Sequence, residues 1–129
     1  MDELKRIMHV EDDPSIQAVA RVALEVVGGF QVLTCSSGQE ALDKVQDFAP
    51  HFILLDVMMP GIDGAETLER LRKLVDLTDI PVAFMTAKVQ PEEVAYYHSL
   101  GASDVIIKPF SPMQLATQVR NIWNKHHDR

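Results

Sequence analysis

The stretch Phe52-Ile53-Leu54-Leu55-Asp56-Val57-Met58-Met59-Pro60-Gly61 restricts the fold more than any other part of the chain. An uninterrupted apolar run of strand length, stopped by Pro-Gly, suits a strand covered on both faces, as in a parallel sheet. In open sheets of that kind, ligands bind beyond the carboxyl ends of the strands. Asp56 stands at that end. Alone it would be read as the start of a loop; the residues that share its edge of the sheet change that reading.

Taken in order, Ile7-Met8-His9-Val10 reads as a first buried strand ending in Glu11-Asp12-Asp13. Asp13-Pro14 starts a helix, as N-cap and first helical residue, and Gly28-Gly29 ends it. Phe30–Thr34 is a second strand. Ser37-Gly38-Gln39-Glu40 has the form of a capping box and opens a helix that stops before Pro50. After the third strand, Asp63-Gly64 begins another helix. Ile80–Met85 is a fourth strand, followed by Thr86. Pro91-Glu92-Glu93 opens a helix closed by Gly101, Val105-Ile106-Ile107 is a fifth strand, and Lys108 follows it. Ser111-Pro112 is read as the start of a last helix. Strict alternation of strand and helix implies right-handed crossovers and a mainly parallel sheet with helices on both faces.

At 129 residues the chain is the size of one domain, expected to run over 1–129, and 47% hydrophobic content is enough for a real core. A formal net charge of -7 argues against unaided nucleic-acid binding. The one cysteine, Cys35, permits no internal disulfide, and no segment reads as a signal or a membrane span. A cytoplasmic location is expected.

Parallel strands bring their carboxyl ends to one edge. There the sequence assembles Glu11-Asp12-Asp13, Asp56, Thr86 and Lys108. Crowded carboxylates repel one another, and a hard divalent cation with oxygen ligands relieves that; Mg²⁺ suits, with Mn²⁺ as the alternative. A carboxylate nucleophile between a cation and an ammonium is a good acceptor for a phosphoryl group.

In this arrangement the chain resembles a response-regulator receiver domain of two-component signalling, of the single-domain, chemotaxis-regulator-like kind. The matching pieces are Val10-Glu11-Asp12-Asp13, Leu54 through Gly64, Met85-Thr86-Ala87, and Gly101-Ala102-Ser103-Asp104 with Lys108-Pro109-Phe110. The resemblance implies a flavodoxin-like α/β fold with strand order 2-1-3-4-5. It implies that Asp56 takes a phosphoryl group from a histidine kinase or histidine phosphotransfer protein. Asp12, Asp56, the Met58 carbonyl and, through water, Glu11 would hold Mg²⁺. Lys108, Thr86 and the backbone at Met58 and Ala87 would contact the phosphoryl oxygens. It further implies a cis Lys108-Pro109 bond and output through the face made by helix 4, strand 5 and helix 5. That output would reach another protein or a second copy in a phosphorylation-dependent homodimer, with no direct contact to nucleic acid or membrane. Such a chain catalyses its own phosphorylation and dephosphorylation but has no separate substrate.

Two positions shape the expectation further. Val105 stands where many receivers carry Tyr or Phe, which removes the ring that would turn inward with Thr86; any signal is then expected to travel by loop and helix 4 shifts. Met58 and Lys88, two residues past Asp56 and Thr86, offer no base for an attacking water, so slow self-dephosphorylation is expected. A Mg-dependent phosphohydrolase with an Asp nucleophile is the enzyme alternative, but it would resemble Asp-x-Asp where Met58 stands. A flavin or nucleotide module lacks its glycine-rich loop after strand one. A degenerate receiver used as a scaffold finds no support, because every chemical position is filled. His9 is expected in the core, His51 and His98 on the surface, and His126-His127 in a frayed end. One of Tyr96 and Tyr97 should be exposed on the output face.

Overall fold

The computed structural model describes residues 3–87 and 90–128. The elements are β1 Arg6–Val10, α1 Pro14–Val22 running into a π-helical turn Ala23–Val27, β2 Gln31–Cys35, α2 Gly38–Phe48, β3 Phe52–Asp56, α3 Gly64–Leu74, β4 Val82–Thr86, α4 Pro91–Ser99, β5 Asp104–Ile107 and α5 Leu115–His127. The strands pair in parallel in the order β2-β1-β3-β4-β5.

Every residue of β3 is buried. Its side chains alternate between two cores, as the strand repeat requires. Phe52 and Leu54 join α1 and α5 residues such as Leu24, Leu115, Val119 and Trp123. Ile53 and Leu55 join Val45, Leu68, Leu71 and Tyr97 from α2, α3 and α4. The apolar run is thus what a strand with helices on both faces needs.

The caps explain where helices begin. The Asp13 carboxylate accepts from the Ser15 N–H at 2.8 Å and the Ile16 N–H at 3.4 Å. Ser37 Oγ accepts from the Glu40 N–H at 3.0 Å, and the Glu40 carboxylate returns a bond to the Ser36 N–H at 2.7 Å. The reciprocal bond of the capping box is therefore made one residue earlier than its usual form. Gly28-Gly29 ends α1 as expected, but the turn before it is not α-helical. Its last turn widens, with the Gly28 N–H bonded to the Ala23 carbonyl at 3.2 Å, and Gly29 takes the left-handed φ of 75°. Arg120 of α5 donates to the Gly28 carbonyl at 2.6 Å and lies 4.4 Å from the centroid of the Phe30 ring. A second helix thus satisfies the end of the first.

Three further expectations are corrected. The last helix begins at Leu115, because residues 112–114 form a tight turn in which the Gln114 N–H reaches the Ser111 carbonyl at 3.0 Å. His126 and His127 are docked rather than frayed: His126 Nε2 lies 2.8 Å from the Thr78 carbonyl and His127 Nε2 3.0 Å from that of Asp79. These contacts bind the end of α5 to the loop before β4. His51 is half-buried, its Nδ1 accepting from the Lys5 and Arg6 N–H groups at 3.1 Å each.

His9 is fully buried in β1, as expected, and neither ring nitrogen has a hydrogen-bond partner among the described residues. Burial, helped by the Lys108 and Arg21 cations, pushes its pKa from 6.5 down to about 4. The folded imidazole stays neutral at pH values where the unfolded one takes up a proton. Stability is therefore complete above pH 6.5 and drains away as the pH falls towards 4. In urea unfolding, the loss of stability between about pH 7.5 and about pH 5 should be about 2 kcal/mol larger for the wild type than for His9→Leu. Equal losses in the two proteins would show that His9 does not carry this dependence.

Candidate functional site

The sheet register places the functional side chains. Val10 pairs with Leu55, so Glu11 leaves β1 beside Asp56 at the end of β3. Asp56 pairs with Met85, which puts Thr86 next along β4. Thr86 pairs with Ile107, and the Lys108 N–H continues the ladder to the Thr86 carbonyl at 2.9 Å. Four strand ends thus deliver their side chains to one edge.

The Lys108 ammonium lies between two carboxylates, donating to Glu11 Oε1 at 2.7 Å and to Asp56 Oδ1 at 3.0 Å. Glu11 is 1% exposed, Asp56 5% and Thr86 4%. Burial raises the pKa of Glu11, the Lys108 hydrogen bond opposes this, and the neighbouring Asp56 charge adds to the rise. Burial works against the Lys108 charge, but its bonds to Glu11 and Asp56 outweigh that and hold its pKa above the ordinary lysine value.

Carboxylate oxygens of Glu11, Asp12 and Asp56 lie within 4.8 Å of one another, with Asp12 open to solvent. An all-oxygen set with one exposed member fits a hard cation that keeps part of its water shell. Asp13 is occupied in capping α1, which accounts for its side chain. The loop after Asp56 is held close by Gly64, whose N–H reaches the Val57 carbonyl at 2.9 Å. A methyl group at Gly64 would run into the Asp56 carbonyl oxygen and Val57 Cα. The Lys108-Pro109 peptide is cis. Ala87 is exposed and shares a cleft of about 400 Å³ with Ser15, Ile16, Val19, Lys108, Pro109 and Phe110.

Residues 7–120 match the family described as the response regulator receiver domain. The chain belongs to that family. It is 37% identical over 121 residues to the alkaline phosphatase synthesis transcriptional regulatory protein PhoP of Bacillus subtilis (strain 168), covering 94% of this chain and 49% of that protein. It is 36% identical over 121 residues to the probable transcriptional regulator ycf27 of Cyanophora paradoxa, with the same coverage. The chain therefore spans about half the length of these curated relatives. Among solved structures it resembles the Vibrio cholerae chemotaxis protein CheY4, with a TM-score of 0.86 at 28% identity, covering 93% of this chain and 99% of that one.

Within this receiver, the sequence-predicted Glu11, Asp12, Asp56, Thr86 and Lys108 all reach one edge. The Met58 side chain turns away and is 65% exposed on the α4 side of its loop. Val105 is half-buried against the core that contains Phe84 and Tyr97. Tyr97 is buried against Phe84, with ring centroids 5.4 Å apart, while Tyr96 is 54% exposed. The exposed ring faces α3, beside Asp63, Ala65 and Glu66, and not β5 and α5 as expected. Cys35 is buried and its thiol is pushed up to about 12, in keeping with an inert residue.

Gln17 was not singled out from the sequence. Its side-chain amide donates to the Glu11 carbonyl at 2.5 Å and to Ser36 Oγ at 3.2 Å, which ties the end of β1 to the end of β2. The one available signal was position: a helix that starts at Pro14 turns its first full turn back over the acidic loop.

Lys108→Met would leave the buried Glu11 and Asp56 carboxylates without their cation. Unfolding at neutral pH should show a loss of about 3 kcal/mol. The loss should shrink as pH falls, since a raised Glu11 pKa means that the folded state takes up the proton first. An unchanged stability at neutral pH would contradict the ammonium's role as internal counter-ion.

Proposed function

We propose that this receiver accepts a phosphoryl group on Asp56 from a histidine kinase or histidine phosphotransfer protein, catalyses that transfer itself, and passes the resulting change to a partner protein in the cytoplasm. The observation that carries the reading is the buried Asp56 carboxylate at the end of β3, touching the Lys108 ammonium at 3.0 Å and clustered with the carboxylates of Glu11 and Asp12. A carboxylate oxygen of Asp56 attacks phosphorus as the phosphorus–nitrogen bond to the donor histidine breaks, giving an acyl phosphate. Hydrolysis reverses the state: water attacks phosphorus, the phosphorus–oxygen bond breaks, and the carboxylate and inorganic phosphate result.

Asp12, Asp56, the Met58 carbonyl and, through water, Glu11 are the residues that would hold Mg²⁺ or Mn²⁺, which when bound neutralises charge on the transferring group. Lys108 offers an ammonium already at the acceptor oxygen, and Thr86 a hydroxyl at the neighbouring strand end. Ala87 leaves room for the phosphoryl group. With Val105 in place of an aromatic ring, the change would leave the site through the loop after Thr86 and α4, towards the face of α4, β5 and α5.

The donor's docking face is α1. Val19 and Val22 are 44% and 57% exposed there, and Val26 in the π-helical turn is 76% exposed. The apolar cleft between α1 and Phe110 adjoins both this stripe and Lys108. Exposed large apolar residues grouped beside a reactive edge are what a protein partner would cover. No helix among the described residues is long and apolar enough to cross a membrane.

Intact mass after incubation with a small-molecule phosphodonor and Mg²⁺ should show one phosphoryl adduct, absent from Asp56→Asn and absent without the metal. An adduct that survives Asp56→Asn would place the acceptor elsewhere. Met58 and Lys88, the latter outside the described residues, offer no base for water, so the isolated phosphoprotein should persist for minutes or longer. A phosphoryl half-life of seconds would remove that expectation.

A further inference from the structure

The hollow between the loop after β3 and the first turns of α4 encloses about 360 Å³. Its apolar lining includes Met58, Tyr96 and Tyr97, and Asp63, Glu92 and Glu93 stand around it. Tyr96 also lines a larger cleft of about 770 Å³ that continues between α3 and α4. The surface lies beside the phosphoacceptor loop but is separate from the face of α4, β5 and α5.

Ordinary structural roles account for part of this patch. Asp63 caps α3, accepting from the Glu66 N–H at 2.9 Å, and acids in the first turn of α4 suit its helix dipole. They do not account for the exposed apolar side chains. Met58 is 65% and Tyr96 54% exposed, and both line this one hollow. Nor, among the described residues, is there a cation in the lining of the hollow. Further along α3, Glu66 pairs with Arg70 and Glu69 with Lys73, whereas Asp63, Glu92 and Glu93 have no ion pair among the described residues.

We propose that this hollow docks a cationic apolar segment of a partner protein, an Arg or Lys adjoining a bulky apolar side chain. An adaptable thioether and a Tyr ring give the apolar side chain its contact. The exposed ring face attracts a cation, and the surrounding carboxylates match a guanidinium or ammonium. The proposal stands apart from phosphoryl acceptance at Asp56 and is tested without it.

The test selects from a displayed random library of peptides of about eight residues on the full chain, then measures the selected peptides against variants. Bound peptides should carry Arg or Lys beside a bulky apolar residue. They should lose about tenfold or more in affinity for Tyr96→Ala and for Glu92→Gln/Glu93→Gln, but not for Asp47→Asn on the remote α2. Amide spectra of each variant would verify that it is folded, and Tyr97→Phe, which keeps the buried ring, should bind as the wild type does. Selected peptides that are acidic or uncharged, or that bind Tyr96→Ala as well as the wild type, would overturn the proposal. So would a selection that yields no binder, or a Tyr96-dependent dimer in sedimentation, which would assign the hollow to a second copy of the chain.

Discussion

The ammonium of Lys108, held between Glu11 and Asp56, is the interaction on which the functional edge depends. Two buried carboxylates side by side would repel each other strongly in a medium of low polarity. One cation between them offsets that repulsion, donating to both carboxylates. The same contact links β1, β3 and the end of β5, so the chemistry and the closure of the sheet edge are one structural event. Under the proposed function, Asp12 and Asp56 would hold a divalent cation that neutralises charge at this edge, and Lys108 would face the phosphoryl oxygens.

The rest of the fold serves to hold that edge still. β3 has core on both faces, as β1 and β4 do, and Asp56 at its end is the one charged residue along it. Gly64 lets α3 approach the backbone of Asp56 more closely than any side chain would allow. Gln17 and Asp13 tie down the acidic loop after β1 from the first turns of α1. On the opposite end of the sheet, His126 and His127 anchor α5 to the loop before β4. Rigidity on one side and open loops on the other are what a site with a mobile output would need.

Much of this was legible in the sequence because parallel strands turn order along the chain into position at an edge. Asp56, Thr86 and Lys108 each follow an apolar run, so strand ends could be read directly and the strand order then followed from the family resemblance. What escaped depends on side-chain reach. The Glu11–Lys108 bond joins residues 97 apart, and nothing local in either segment selects it over a water-mediated role at the metal. The π-helical turn was hidden because Arg120, on the last helix, completes it. The start of α5 was misplaced because Ser-Pro is equally at home in a turn. One exposed ring on α4 was expected, but which of Tyr96 and Tyr97 goes in is decided only by packing against Phe84.

Binding of BeF₃⁻, followed by ¹⁹F NMR, tests the central claim most directly, because it asks whether this edge holds a phosphoryl-like group without needing a cognate donor. The account predicts a bound fluoride signal that appears only with Mg²⁺ and is lost in Asp56→Asn. It also predicts weakening in Lys108→Met and amide shifts that spread from Asp56 and Thr86 into α4. A wild-type protein with no bound signal at saturating Mg²⁺ would contradict it.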